Sequence, residues 1–383
     1  MRAALAALAA LTPAVAVAQP AGVEIRSYGV TASGEEVHQY TLRGDQGLVV
    51  RFLSYGGIIT DIEVPDRAGR PANVVLGLPT LADYERKNAR YFFGGIVGRY
   101  AGRIANARFA IDGREVRLQA NDGPNALHGG AGDGFIAKVW RVEPLAEPGV
   151  AGAALHYSSA DGEQGFPGRL ATTVTYRLLP GRQLRIDYEA RSDAPTVLNL
   201  TNHSYFNLAG ANAGPVYDHR LQIFGDRLVE ATEAGIPTGV FLPVAGSAFD
   251  FRAPRALGEC LEGAMPRIGG ICGYNHSWLI GEGHSGGLVL AARLIEPQSG
   301  RVLEVLTTEP SIHVYVANHF SGEDMGSAGV PLRPHHGIAL ETQHLADSPN
   351  RPHFPTTLLR PGETFRSTTI YRFGVQGEGG ERG

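Results

Sequence analysis

The chain has 383 residues, only 19% of them charged, with a formal net charge of −4. So even a balance excludes the electrostatic footprint of a nucleic-acid or anionic-membrane binder. The length allows one large core, and 51 glycines and 24 prolines leave little room for long helices.

In chain order, the first feature is a leader. Arg2 supplies a positive start, Ala3 to Leu11 an apolar stretch, and Ala16-Val17-Ala18 a small-residue cleavage site before Gln19. That layout predicts a secretory signal peptide over 1–18 and a periplasmic or secreted mature protein. No later segment is apolar for long enough to span a bilayer as a helix. From about residue 25 to 375 the pattern is short alternating runs punctuated by Gly, Pro, Asn and Asp, as in "GLVVRFLSYGGIITDIEVPDRAGRP". "LADYERKNARYF" (81–92) predicts a short helix, and "RLLPGRQLRIDYEA" predicts two strands around a Pro-Gly turn. Such spacing predicts an antiparallel all-β sandwich, with residues 19–375 as a single domain and 376–383 as a disordered polar tail. Cys260 and Cys272, twelve positions apart, read equally as a disulfide permitted by export or as two buried thiols.

Five stretches place polar and ionisable groups inside apolar strand patterns. "VLNLTNHSYFNLAG" (197–210) reads as a strand with Leu198, Leu200, Phe206 and Leu208 on apolar positions. Its other positions hold Asn199, Thr201, His203, Tyr205 and Asn207, compact hydrogen-bonding groups without a long charged side chain. "GRYAGRI" holds Arg99 and Arg103, and either arginine could simply tie loops to carbonyls. "NDGPNALHGG" puts His128 ahead of two glycines, where a ligand can approach the backbone. "CGYNHSWLI" supplies Asn275 and His276. "GIALETQHLADSPN" places Glu341 and Gln343 on one face, with Ile338, Leu340 and Thr342 opposite. An enclosed carboxyl is tuned upward, so Glu341 and a histidine form a matched base and acid near neutrality. With several amides and no phosphate loop, the set suits a neutral polyhydroxylated ligand.

At these stretches the chain resembles the aldose 1-epimerase (galactose mutarotase) family. "GRYAGRI", "PNALHGG", "TNHSYFNL", "IPTGVFLPVAGSAFDFRAPRALG" and "LETQHLADSPNRPHFPTTLLRPGETF" occur in the family's order across almost the whole mature chain. The resemblance implies a single-domain β-supersandwich with an open sugar cleft. It implies interconversion of the α and β anomers of a free aldose, without metal or organic cofactor. It places the base on Glu341 and the acid on His203, and sugar-holding roles on Arg103, His128 and Tyr205. Gly102, Asn275 and His313 stand where the family usually has Asn, Asp and Gln. All three positions line its sugar site, which implies a shifted preference, such as a pentose or an unusual aldose.

Action on phosphorylated hexoses is disfavoured by export, and two further alternatives remain at this level. One is a non-catalytic exported sugar-binding protein on the same scaffold. The other is a metal-dependent cupin-type barrel, prompted by His335, His336 and Glu341, although adjacent strand residues point to opposite faces. If the leader is cleaved as its pattern predicts, intact-mass analysis of protein recovered from an exporting host will show a chain beginning at Gln19. A product retaining Met1 would refute that processing.

Overall fold

The computed structural model describes residues 22–130, 132–147, 149–261, 273–280 and 287–377. The leader, the Cys260 side chain, Cys272 and the end of the tail lie outside the described residues. The expected antiparallel all-β architecture is what the chain adopts. Three large sheets dominate, of five, nine and six strands. The five-stranded sheet runs in chain order from Val23–Val30 to Pro71–Asn73. At the middle of the nine-stranded sheet the predicted hairpin appears as Leu170–Leu179 and Gln183–Ser192, closed by the Leu179↔Gln183 pair. The C-terminal strand Phe365–Val375 pairs beside it.

The six-stranded sheet positions the site. Its order is Tyr205–Phe206, Ile338–Gln343, Ser311–Tyr315, Asn275–Leu279, Arg227–Ala231 and Pro237–Pro243. Period-two alternation divides its residues between two faces. Ile312, Val314, Ile338 and Leu340 enter a continuous core with Phe52, Leu155, Tyr176, Ile186, Val305 and Tyr371 from the other sheets. The opposite positions, Glu341, Gln343, His313, Tyr315, Asn275 and Ser277, line a cleft.

The short helix forms at Leu81–Tyr91, within one residue of the expected span. The Thr80 hydroxyl caps it by accepting from the Asp83 N–H, and Phe92 ends it in the left-handed region at φ 59°.

One expectation is corrected. Residues 197–210 do not form one strand but two-residue pieces, Thr196–Val197, Thr201–Asn202 and Tyr205–Phe206, each paired with a different partner. The polar row also does not face a ligand along its length. The Asn199 Nδ2 donates to the carbonyls of Ala101 and His344, both at 3.0 Å, while its Oδ1 accepts from the His344 N–H at 2.9 Å. Thr201 Oγ1 donates to the Thr342 carbonyl, Asn202 to Gly94, and Asn207 to Gly214 and His336. Side chains here take over backbone groups that a regular ladder would have satisfied. Only His203 and Tyr205 of that row line the cleft.

Asn199 therefore ties the GRYAGRI loop to the segment that follows Gln343. Asn199→Ala would strand buried carbonyls and a buried N–H, and is expected to lower unfolding free energy by roughly 2–3 kcal/mol. Denaturant titration measures it, and a change within error would show that these bonds carry no net stability.

Candidate active site

A cleft opens over the six-stranded sheet. The sheet supplies its floor, the helix end supplies Phe92, the two-residue strand Arg103–Ile104 supplies Arg103, and loops supply His128 and His203. Glu341, His203, Arg103, His128, Tyr205, Asn275 and His313, chosen from sequence, all line this one cleft.

Glu341 stands in mid-strand directly opposite His313 and is 1% exposed. Its Oε1 lies 3.3 Å from His203 Nε2. The other carboxyl oxygen and His203 Nδ1 are buried without a hydrogen-bond partner. Burial pushes the Glu341 carboxyl up to about 8, against the opposing pull of Arg103. Burial also pushes the His203 imidazole down to about 4. Across the interval between those values the pair holds one proton, resting on the carboxyl rather than as an ion pair. The same pair becomes carboxylate and imidazolium by moving that one proton, with no change in net charge.

His128 takes φ 54° just before Gly129 and Gly130. Gly129 is required there, because a Cβ would come within 2.3 Å of the Gly98 carbonyl. The Gly102 N–H donates to His128 Nδ1 at 3.2 Å, which leaves the ring hydrogen on Nε2 as a donor. Burial holds this imidazole well below its usual range. Ligand atoms of His128, His203 and Glu341 lie within 4.8 Å of one another, a spacing that suits a metal. With Nε2 of His128 carrying hydrogen, however, the trio offers a donor where a metal needs a lone pair. His335 and His336 do not join Glu341: His335 Nδ1 instead meets the Tyr217 hydroxyl at 2.9 Å.

Arg103 Nε donates to Asp122 at 2.7 Å and the guanidinium lines the cleft. Arg99 takes the bland role considered for it. It is 2% exposed and donates to Ser159 Oγ and to the carbonyls of Ser159, Ala160 and Pro167. Tyr205 reaches the cleft with its ring, 4.8 Å from the His203 ring, but its hydroxyl donates to the Tyr91 carbonyl. His313 is bridged between Ser277 Oγ and Asn275 Oδ1, each at 2.8 Å, and burial lowers it to about 3. His276 packs its ring on Phe249 at 4.7 Å, with Nδ1 accepting from the Asn275 N–H.

Sequence reasoning did not select Ser277, Phe92, Tyr315 or Gln343 for the site. Ser277 and Tyr315 lie two residues from Asn275 and His313 on the same face, so period-two spacing would have found them. Phe92 arrives from a helix end and had no such signal.

The model of the aldose 1-epimerase family matches residues 38–372. Rat galactose mutarotase is 42% identical over 344 residues, 90% of this chain and 96% of that protein. The aldose 1-epimerase of Escherichia coli K12 is 37% identical, covering 89% and 96%. Among solved structures, galactose 1-epimerase from Lactobacillus acidophilus aligns with a TM-score of 0.79 at 29% identity, over 92% of this chain and 98% of that one. An aldose epimerase homologue from C. elegans also scores 0.79 at 29% identity, over 88% and 98%. A match over this range, which spans every strand that builds the cleft, makes the chain a member of the aldose 1-epimerase family.

Proposed function

We propose that this protein is an aldose 1-epimerase, opening and reclosing the ring of a free aldose with Glu341 as base and His203 as acid. The observation that carries this reading is the buried, partly unpartnered carboxyl and imidazole 3.3 Å apart in a cleft of polar side chains. In a cyclic aldose the C1 hydroxyl and the ring oxygen hang on one carbon, so a base and an acid serving them must lie close together. In the step, Glu341 takes the proton from the C1 hydroxyl as His203 gives one to the ring oxygen, and the C1–O5 bond breaks. The carboxyl is then protonated and the imidazole neutral, which is the form that burial favours. Rotation about C1–C2 and reversal of both transfers gives the other anomer. Each group contributes roughly 10²–10⁴ in rate, about 3–5 kcal/mol of barrier.

Arg103 and the Nε2–H of His128 are suited to hold sugar oxygens, with Asn275 and His313 forming a neutral wall that sets sugar preference. The relatives' names point to galactose as the first sugar to try. Asn275 and His313, where the family usually carries Asp and Gln, support a preference shifted toward another aldose. A periplasmic or secreted location is supported by the leader sequence alone.

Polarimetry of fresh α-D-galactose is the direct test. Glu341→Gln and His203→Asn are each expected to lower kcat by roughly 10²–10⁴ with unchanged circular dichroism. Near-wild-type rates in either variant would remove that residue from its role. Anomeric exchange absent from wild type across hexoses and pentoses, with binding retained, would establish the non-catalytic reading instead. The pH profile follows from proton count. Below about 4 a second proton on His203 leaves no base, and above about 8 the loss of the last proton leaves no acid. A bell-shaped kcat/KM with limbs near those values is expected, and a profile flat from pH 3 to 9 would refute the pairing.

A further inference from the structure

Buried amides elsewhere among the described residues use at least one of their polar atoms: Gln39 Nε2 donates to Thr60 and Asn318 Nδ2 to the Tyr274 carbonyl, although their oxygens lack partners. Asn199, Asn202 and Asn207 all donate to backbone carbonyls. Gln343 is different. It is 2% exposed, it lines the cleft, and its Oε1 is buried without a partner. Among the described residues its Nε2 has no hydrogen-bond partner either. Native proteins rarely leave a buried amide idle, because its lost hydration then goes uncompensated. Two neighbouring polar groups are already occupied, the Tyr205 hydroxyl by the Tyr91 carbonyl and the His313 ring by Asn275 and Ser277.

The position of the amide says what it can reach. Gln343 follows Glu341 by two residues on the same strand face, so their side chains stand about 7 Å apart along the strand. That spacing is comparable to the width of a pyranose ring. Gly102 faces it at φ 77°, and a Cβ there would lie 3.0 Å from Ala346 Cβ and 3.6 Å from Gln343 Nε2. The bare backbone at Gly102 thus leaves open the space into which the amide projects. An amide offers a donor and an acceptor side by side, which matches two neighbouring hydroxyls.

We propose, on the reading that the cleft binds an aldose, that Gln343 is a substrate-binding residue. It grips the hydroxyls at C3 and C4, across the ring from Glu341, through the gap left at Gly102. Those hydroxyls distinguish one aldose from another, so Gln343 is also a specificity residue.

Titration calorimetry with D-galactose and its 3-deoxy and 4-deoxy derivatives tests this without relying on turnover. Gln343→Met keeps the side-chain length and removes both hydrogen-bonding groups. It is expected to raise the galactose Kd by roughly three- to tenfold. In the wild type, deoxygenation at C3 or C4 weakens binding, and in the variant that penalty disappears. Gly102→Asn added to Gln343→Met, which returns an amide to the same space, is expected to recover part of the affinity. Gln343→Leu gives the same readout if the Met variant loses its thermal transition. An unchanged Kd, or deoxy penalties equal in wild type and variant, overturns the assignment. A wild type that interconverts anomers while Gln343→Met binds normally defeats this inference alone, whereas a wild type that binds no aldose defeats the proposed function as well.

Discussion

One proton shared between Glu341 and His203 organises the site. Both groups are almost wholly buried and lie 3.3 Å apart. Desolvation acts on them in opposite directions, raising the carboxyl and lowering the imidazole, so the pair stays neutral over the range in which it must work. A charged pair isolated in the same place would need a strong network to offset its lost hydration. A neutral pair does not, and it becomes a base and an acid by an internal proton shift. Keeping water out of the pair is what the surrounding fold must achieve.

Strand alternation and local knots of side-chain bonds do this together. The strand Ile338–Gln343 sends Ile338 and Leu340 into the core and Glu341 and Gln343 into the cleft, so apolar packing fixes the height of the carboxyl. His203 has no long strand to hold it. It sits between two-residue pieces, and the bonds of Asn199, Thr201 and Asn202 to carbonyls of neighbouring segments hold its backbone. Tyr205 and Phe92 pack against its ring, at 4.8 and 6.0 Å between centroids. The Tyr205 hydroxyl, donating to Tyr91, links that packing to the end of the only long helix among the described residues.

This division explains what could be read from the chain and what could not. Period-two patterns announced the antiparallel sheets, the Pro-Gly hairpin and the enclosure of Glu341, because a strand's faces are written directly into its alternation. The same rule misled at 197–210. Alternating polar residues there looked like a ligand-facing row, yet Asn199, Thr201 and Asn207 bond backbone carbonyls, and only His203 and Tyr205 reach the cleft. A side chain that replaces a ladder bond and one that meets a ligand are of the same chemical kind, and spacing does not separate them. Tyr205 shows the limit again: its place beside His203 was legible, but the partner of its hydroxyl, 114 residues away, was not. Arg99 and Arg103, four residues apart in one motif, likewise diverge, one into a loop of carbonyls and the other to the cleft.

The charge of the cleft then follows from its imidazoles. His128, His203, His276 and His313 are all driven toward the neutral form by burial. Arg103 is matched by Asp122 at 2.7 Å, and Glu341 keeps its proton. Arg90, which also lines the cleft, faces Glu323 at 3.9 Å, so what remains is a wall of fixed donors and acceptors with little net charge. Such a wall gives an anionic or cationic ligand little to compensate its desolvation, and gives a neutral polyol many short partners. Neutrality also protects the proton pair, because an unmatched cation or carboxylate nearby would bias the shared proton toward one partner and slow its return. The arrangement that selects an uncharged sugar is therefore the one that lets the proton move both ways, as an interconversion of two anomers requires.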